Sequence, residues 1–183
     1  TGAGISAESG LPTFRGLSGI WTSDPEAEQR ATIESFLSGP KEYWERIVEG
    51  KSFFTAFLGT AIKPNPAHIA LAELESMGKL SCVITQNVDE LHQKAGNKPL
   101  PRKALKKAQL ESMACDVMLV VGSTLLVYPA ALLPEIAKNH GAKIAVINLE
   151  PAARDDLADY LVFGKAGEIL PSVVEMVKEA LQR

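Results

Sequence analysis

The chain has 183 residues, 46% hydrophobic and 22% charged, which is enough apolar sequence for one buried core and excludes disorder, collagen and a coiled coil as its architecture. Nineteen Lys and Arg against 22 Asp and Glu leave a formal charge of -3 with both signs interspersed, and this gives no electrostatic ground for direct nucleic-acid binding. No apolar run approaches the roughly 18 residues of a membrane span and no basic-then-apolar leader opens the chain, so the expectation is a cytoplasmic protein with no membrane partner.

Taken in chain order, the first feature is Gly2-Ala3-Gly4-Ile5-Ser6-Ala7, which fits G-x-G-x-x-[GA]. Glycines at this spacing let the backbone turn tightly and bring amide groups at a helix start to a pyrophosphate. The bare pattern is equally met by glycines that only make a turn. A buried strand normally precedes such a turn, so one is expected before Thr1. A dehydrogenase of this type needs an acid about 20 residues on, at the end of the second strand. Asp24 has the distance, but Thr22-Ser23-Asp24-Pro25-Glu26 reads as a loop and helix N-cap, so hydride transfer loses its support.

The turn continues as Glu8-Ser9-Gly10-Leu11-Pro12-Thr13-Phe14-Arg15-Gly16, with Gly19 and Trp21 following. Such a loop can fold over a nucleotide, Arg15 meeting phosphate and Phe14 shielding the reacting carbon from water. The alternative is a surface loop whose Phe14 and Trp21 plug into the core. Apolar residues at helical spacing then mark helices over Ser35 to Leu58 and Pro66 to Met77. Leu80-Ser81-Cys82-Val83-Ile84 reads as a buried strand delivering Thr85, Gln86 and Asn87 at its end. Asn97-Lys98-Pro99-Leu100-Pro101 is an abrupt loop before a helix over Arg102 to Ser112.

The same pattern recurs at Asp116 to Val121, ending in Gly122-Ser123-Thr124, and at Lys143 to Ile147, ending in Asn148-Leu149-Glu150. A helix over Ala130 to Asn139, stopped by Gly141, and another over Ala166 to Leu181 complete it. Alternating helices and continuous apolar strands predict an α/β fold, a Rossmann-like parallel sheet with helices on both faces. Ligands of such sheets bind beyond the carboxyl ends of the strands, where these polar clusters fall. Cys82 and Cys115 lie in or beside apolar runs without a C-x-x-C pair, which reads as structural thiols in a reducing compartment.

Four segments carry a resemblance: Thr1 to Arg15; Pro64-Asn65-Pro66-Ala67-His68; Thr85-Gln86-Asn87-Val88-Asp89-Glu90-Leu91-His92; and Val121-Gly122-Ser123-Thr124 with Val127-Tyr128-Pro129. In content and order they closely resemble the sirtuins (Sir2 family), NAD-dependent protein lysine deacylases. The resemblance implies cleavage of the bond from nicotinamide to ribose, attack of the acyl-lysine oxygen on the sugar, and release of nicotinamide, deacylated lysine and O-acyl-ADP-ribose. It implies NAD as cofactor and an acyl-lysine protein or peptide as partner. By the same resemblance Gly2, Ala3, Gly4, Thr13, Phe14 and Arg15 line the phosphate and nicotinamide ends, and Gln86 and Asn87 touch the nicotinamide ribose. Asp89 binds the carboxamide, which makes Asn87 and Asp89 the catalytic pair. Gly122 and Ser123 hold phosphate and ribose, Asn148, Leu149 and Glu150 lie at the adenine ribose, Ala166 lies near the adenine, and Val88, Val127 and Tyr128 meet the substrate.

Each role has a plainer competitor. Asp89 can cap the helix that follows it. His68 and His92 read as structural hydrogen-bonders, and His140 as a favourable charge at a helix end. None of the three stands where the resemblance puts the general base.

The sequence departs from the family between Lys98 and Pro99, where sirtuins carry a His-Gly motif with the base, a zinc module with paired C-x-x-C ligands, and a Phe-Gly-Glu loop. The expectation is therefore a Rossmann-like NAD-binding domain over residues 1–183, a helical insertion over 25–63, and a gap between 98 and 99. Zinc is expected on cysteines outside this sequence, in a polypeptide heavier than 19.6 kDa; no metal ligand is named within it. Ser123-Thr124 also reverses the Thr-Ser of many family members while keeping both hydroxyls. The branch that removes acidic acyl groups carries a Tyr and an Arg three residues apart on a helix; aligning its Trp with Trp44 places Ile47 and Gly50 there, with Arg46 and Lys51 nearby. A neutral acyl group such as acetyl is the expected substrate. The rival readings are a catalytically silent NAD or ADP-ribose binding module and a mono-ADP-ribosyltransferase.

Overall fold

The computed structural model describes residues 1–16, 19–50, 62–100 and 104–183. They form two compact units, one of Thr1–Ser9 with Lys63–Arg183 and one of Gly10–Ile62.

The first unit is built on three strands, β1 (Val117–Val121), β2 (Lys143–Asn148) and β3 (Tyr160–Phe163), in the order β1-β2-β3. Both pairings are parallel, with Val120 opposite Val146 and Ile147 opposite Val162. Alternation along each strand sends neighbouring side chains to opposite faces. Val121 and Ile147 join Ile5, Leu71, Leu74, Leu170 and Val174 in one core cluster; Val120, Ile144 and Val146 join Leu125 and Ala137 in the other.

Helices cover both clusters. Two pack together on the first side, α5 (Pro66–Ser76) and α9 (Ala166–Leu181), clasped at the surface by Lys178 Nζ on Glu73 at 2.6 Å. On the second side are α7 (Leu105–Ala114) and α8 (Leu133–Asn139), the latter led in by a 3₁₀ turn over Ala130–Leu132 and stopped by Gly141 at φ 95°. A short helix, α6 (Leu91–Ala95), packs against α5. The predicted parallel α/β sheet with helices on both faces is thus the fold. No described helix is long and apolar enough to cross a membrane.

Two expectations change. Residues 80–84 are not a strand: Thr1 N donates to Ile84 O, Gln86 N to Thr1 O and Leu100 N to Val83 O. These isolated bridges do not make the run of successive pairings that defines a ladder. A cleft of about 340 Å³ separates the segment from β1, lined by Leu80, Cys82, Ile84, Val117, Leu119 and Val121. The fourth apolar run, β3, is the strand that went unpredicted; it is only four residues long, and its side chains are exposed although all four are apolar. Cys82 and Cys115 are free and half-buried, and burial pushes both thiols up.

Among the described residues of the second unit, four short helices follow one another, α1 (Ile20–Ser23), α2 (Pro25–Arg30), α3 (Ile33–Ser38) and α4 (Pro40–Val48). Asp24 caps α2, accepting from Ala27 N at 3.3 Å, as read from the sequence. The helix expected over Ser35 to Leu58 is broken at Gly39-Pro40, because proline excludes α geometry from the residue before it and Gly39 sits at φ -154°, ψ 68°. The remainder of that expected helix, within 51–61, and the start of the one expected from Arg102 lie outside the described residues.

Leu170 is completely buried between α9 and the sheet. Leu170→Ala is expected to cost about 2–5 kcal/mol, read as a lower urea midpoint, because the cavity it leaves is walled by three elements that cannot all collapse into it.

Candidate functional site

The site starts from a contact between backbones. Gly2 N donates to Val121 O at 3.1 Å and Gly4 N to Gly122 O at 2.9 Å, which seats the glycine turn on the end of β1. A Cβ on Gly2 would stand 2.7 Å from Gly122 O, one on Gly4 2.7 Å from Gly122 Cα, and one on Gly122 2.2 Å from Ile5 N. Gly122 also holds φ +61°, which favours glycine. The glycines therefore serve close approach, and the amides of Gly2 and Gly4 are spent on carbonyls rather than left to a phosphate. Ala3 begins a 3₁₀ helix running to Ser9.

That turn delivers Ser6, which is buried and stands at the centre of a polar network. Ser6 Oγ donates to Asp89 Oδ2 at 2.6 Å and accepts from Asn87 Nδ2 at 3.2 Å. His68 Nε2 lies 3.4 Å away on the same oxygen. Because His68 Nδ1 accepts from Asn65 N, the neutral ring carries its proton on Nε2 and donates to Ser6. One donor and two lone pairs are thus all used. Asn87 Nδ2 also donates to Gly2 O at 3.0 Å, which ties the 80–87 segment to the glycine turn.

Asp89 holds the start of the helix that follows it, the plainer of the two roles the sequence left open. Its Oδ1 accepts from Leu91 N at 3.0 Å, at the start of α6, while Oδ2 is held by Ser6. Glu90 between them is in the left-handed region at φ 60°. Asn65 caps α5 in a capping box with His68 in the place usually held by Glu, and its Nδ2 reaches Ile5 O at 2.7 Å. Ser6 and Asn65 carry this network although neither was among the expected site residues. The spacing Asn65-Pro66-Ala67-His68 was the available signal, since it is the cap spacing with a histidine at its end.

His68 and His92 are both fully buried, their rings edge to face at 4.9 Å. Burial lowers the pKa of His68, against a smaller opposing pull from Asp89. His92 is lowered to about 4, by burial first and then by His68. Its Nε2 meets Thr1 Oγ1 at 2.9 Å. Its Nδ1 and the Oδ1 of buried Asn97 both lack a partner in hydrogen-bond geometry, although the Asn97 side chain is near enough to favour the ring's proton.

At the other strand ends Asn148 and Ser123 form a reciprocal clasp: Ser123 N donates to Asn148 Oδ1 at 3.0 Å and Asn148 Nδ2 to Ser123 O at 2.9 Å. The Asn148 amide is thereby spent on fixing Ser123, whose Oγ accepts from Leu125 N. Hence the structure brings together Gly2, Gly4, Asn87, Asp89, Gly122, Ser123 and Asn148. Gln86 joins only through its backbone, on Thr1. Ala166 is buried in the core beside Leu170, and the next amide, Gly167 N, is taken by Glu8 at 2.7 Å. Leu149, Val88, Val127 and Tyr128 are exposed and Glu150 is half-buried.

Thr13, Phe14 and Arg15 belong to the second unit. Phe14 packs against Trp21 with ring centroids 4.7 Å apart and planes tilted by 41°, and the Arg15 guanidinium lies 4.5 Å over the same Trp21 ring while pairing with Glu28. Thr13 Oγ1 donates to Arg15 O. The described residues hold no group of three His, Cys, Asp or Glu placed for a metal.

A family model described as "Sir2 family" matches residues 2–102. An Archaeoglobus fulgidus protein named "NAD-dependent protein deacylase 2" is 40% identical over 234 residues, covering 97% of this chain and 89% of that protein. Those 234 aligned positions against 183 residues here mean that at least 51 face no residue of this chain. Among solved structures, one described as "Structural Basis for the Mechanism and Regulation of Sir2 Enzymes" is similar at TM-score 0.84 and 39% identity, covering 98% of this chain and 91% of its own. Another, "Sir2-p53 peptide-NAD+", is similar at TM-score 0.78 and 30% identity, covering 97% and 91%.

The buried rings make stability depend on pH with a definite sign. Because His92 titrates at about 4 when folded and near 6.5 when unfolded, the unfolded chain holds more protons between those values. His68 acts in the same direction. Stability is full above about pH 6.5 and falls as pH drops, by up to about 1.4 kcal/mol per pH unit for each proton. Urea midpoints measured from pH about 7 to about 4.5 are expected to fall steadily, and more shallowly in His92→Phe.

Proposed function

The chain belongs to the Sir2 family and is an NAD-dependent protein deacylase, and within that activity we propose that the network centred on Ser6 receives the nicotinamide end of NAD for attack by an acylated lysine. The observation that carries this reading is the doubly held carboxylate of Asp89, fixed by Ser6 Oγ and Leu91 N beside an Asn87 that is itself fixed on Gly2. Donors aimed at one carboxylate from two sides prevent it from turning, so it can select a planar amide by position.

NAD, when bound, supplies the nicotinamide leaving group and the ribose carbon that takes the acyl oxygen. The residues present fit it. Asp89 can accept an N–H of the carboxamide. Asn87, with its amide nitrogen committed to Ser6 and Gly2, keeps an oxygen for a ribose hydroxyl or a water. Ser123, locked by Asn148, presents its hydroxyl at the end of β1.

The proton acceptor for the acyl transfer is none of the chain's three histidines. His68 and His92 are buried and neutral with their nitrogens turned to Ser6, Asn65 and Thr1, and His140 bonds Ile136 O at the end of α8. Zinc, which the resemblance implies, has no fitting ligand group among the described residues, so no step passes through it. Val88, Val127 and Tyr128 offer exposed apolar surface for the peptide flanking the lysine. The free thiols of Cys82 and Cys115 support a reducing compartment such as the cytoplasm.

Nicotinamide release that requires an acylated peptide tests the reading; release unchanged by the peptide, or none, speaks against it. Asn87→Ala and Asp89→Asn are expected to lower that release by roughly 10²–10³, with a much smaller change in melting temperature. The asparagine keeps an acceptor for Leu91 N, so a matching loss of stability would make the bond between Asp89 and Ser6 a purely structural one.

Acetyl-lysine is the preferred substrate over succinyl-lysine. In the second unit α4 ends at Val48, which leaves Gly50 beyond the helix at φ +74°, and Ile47 supplies no charge. A carboxylate that meets no cation from those two positions costs several kcal/mol to bury, so kcat/KM on matched peptides should favour acetyl at least about tenfold, whereas a succinyl preference would assign Arg46, in the last turn of α4, to the pocket.

A further inference from the structure

We infer that His92 is a positioning residue for the nicotinamide end of the site, acting through His68 and Ser6 on Asp89 and Asn87. This rests on the reading that Asp89 and Asn87 receive nicotinamide.

Ser6 has a single proton, and where it points depends on which neighbour donates to it. It donates to Asp89 because His68 Nε2 and Asn87 Nδ2 both occupy its oxygen as donors. Loss of the His68 donor would free the hydroxyl to rotate, and Asp89 would lose a fixed partner. The His68 ring is held at one end by Asn65 N, a bond of 3.4 Å that leaves the ring free to tilt about it. What packs against it is the His92 ring, edge to face, with 4.9 Å between centroids and 63° between planes.

His92 is fixed in turn. It is carried by α6, the helix whose start Asp89 caps, and its Nε2 meets Thr1 Oγ1 at 2.9 Å. Asn97, buried at the end of α6, donates its own backbone N–H to His92 O and its side-chain amide to Glu75 on α5 at 2.7 Å. The two rings therefore join α5 to α6 from inside, and Asp89 is bonded to α6 at Leu91 N and, through Ser6, to His68 on α5. His92 is 1% exposed and neutral, so its part is geometric and not proton transfer.

The test compares two ligands on the same protein by titration calorimetry: NAD, and ADP-ribose, which lacks nicotinamide. His92→Phe keeps a ring against His68 but loses the bond to Thr1. It is expected to weaken NAD roughly five- to tenfold while ADP-ribose changes by less than about twofold. Thr1→Val removes the same bond from the other side with little change of volume, and should weaken NAD roughly two- to threefold, again without ADP-ribose. Should His92→Phe not fold, Thr1→Val decides.

A folded variant with unchanged NAD affinity, or with both ligands weakened equally, overturns the positioning role. Asp89→Asn separates this from the underlying reading. If Asp89→Asn weakens NAD selectively while His92→Phe and Thr1→Val do not, only the positioning role falls. If Asp89→Asn leaves the ratio of the two affinities unchanged, the nicotinamide reading falls and the inference with it.

Discussion

Three glycines meet where the turn at Gly2 to Gly4 lies on Gly122 at the end of β1, and the first unit of this protein is organised around that contact. Its hydrogen bonds are ordinary, but its steric demand is absolute, since any Cβ there lands between 2.2 and 2.7 Å from another backbone atom. The contact fixes Ile5 in the core of the sheet and, one residue later, Ser6 in the polar network. A shift of the turn by a side chain's width would move both together. Packing and chemistry here share one constraint, and neither could be altered alone.

The polar network stands beyond the ends of the strands and is largely buried, a costly place for hydroxyl, amide, imidazole and carboxylate groups. It persists because its partners are complementary in number. Ser6 uses its one donor and both lone pairs, Asn65 caps α5 with its oxygen and holds Ile5 O with its nitrogen, and Asp89 divides its two oxygens between Ser6 and Leu91. Two neutral histidines suit such an interior better than charged ones, since each ring gives one donor and one acceptor without the desolvation cost of an imidazolium. The Nδ1 of His92 and Oδ1 of Asn97 are the exceptions, buried without a partner in hydrogen-bond geometry.

The strand ends show a division of labour that family membership alone would not suggest. Asn148 and the amides of Gly2 and Gly4 spend their hydrogen-bonding capacity on the protein itself. They make the rim rigid, and the groups left to meet a ligand, the Asp89 carboxylate, the Asn87 oxygen and the Ser123 hydroxyl, are presented by neighbours already satisfied. Preorganisation of this kind lets a few polar contacts discriminate strongly.

Periodicity and punctuation in the sequence by themselves determined the parallel α/β class, β1, β2, α5, α8 and α9, because continuous apolar runs and helical spacing are local signals that tertiary packing here reinforces. Four ordered motifs determined the family, and they singled out Asn87, Asp89, Gly122 and Ser123 at the strand ends. The tertiary structure decided what local pattern cannot carry. Leu80 to Ile84 is apolar enough for a strand, yet a ladder depends on a partner running alongside, and only isolated bridges to Thr1 and Leu100 form. β3 is a strand although its side chains are exposed, because its backbone finds β2. Gly39-Pro40 divided a helix whose apolar spacing ran straight through it. Ser6 and Asn65 became central only when turns far apart in the chain closed on each other, and His68 and His92 became a pair for the same reason. A hydrogen bond across 83 residues, such as Ser6 to Asp89, is a property of distance in space, which sequence spacing does not encode.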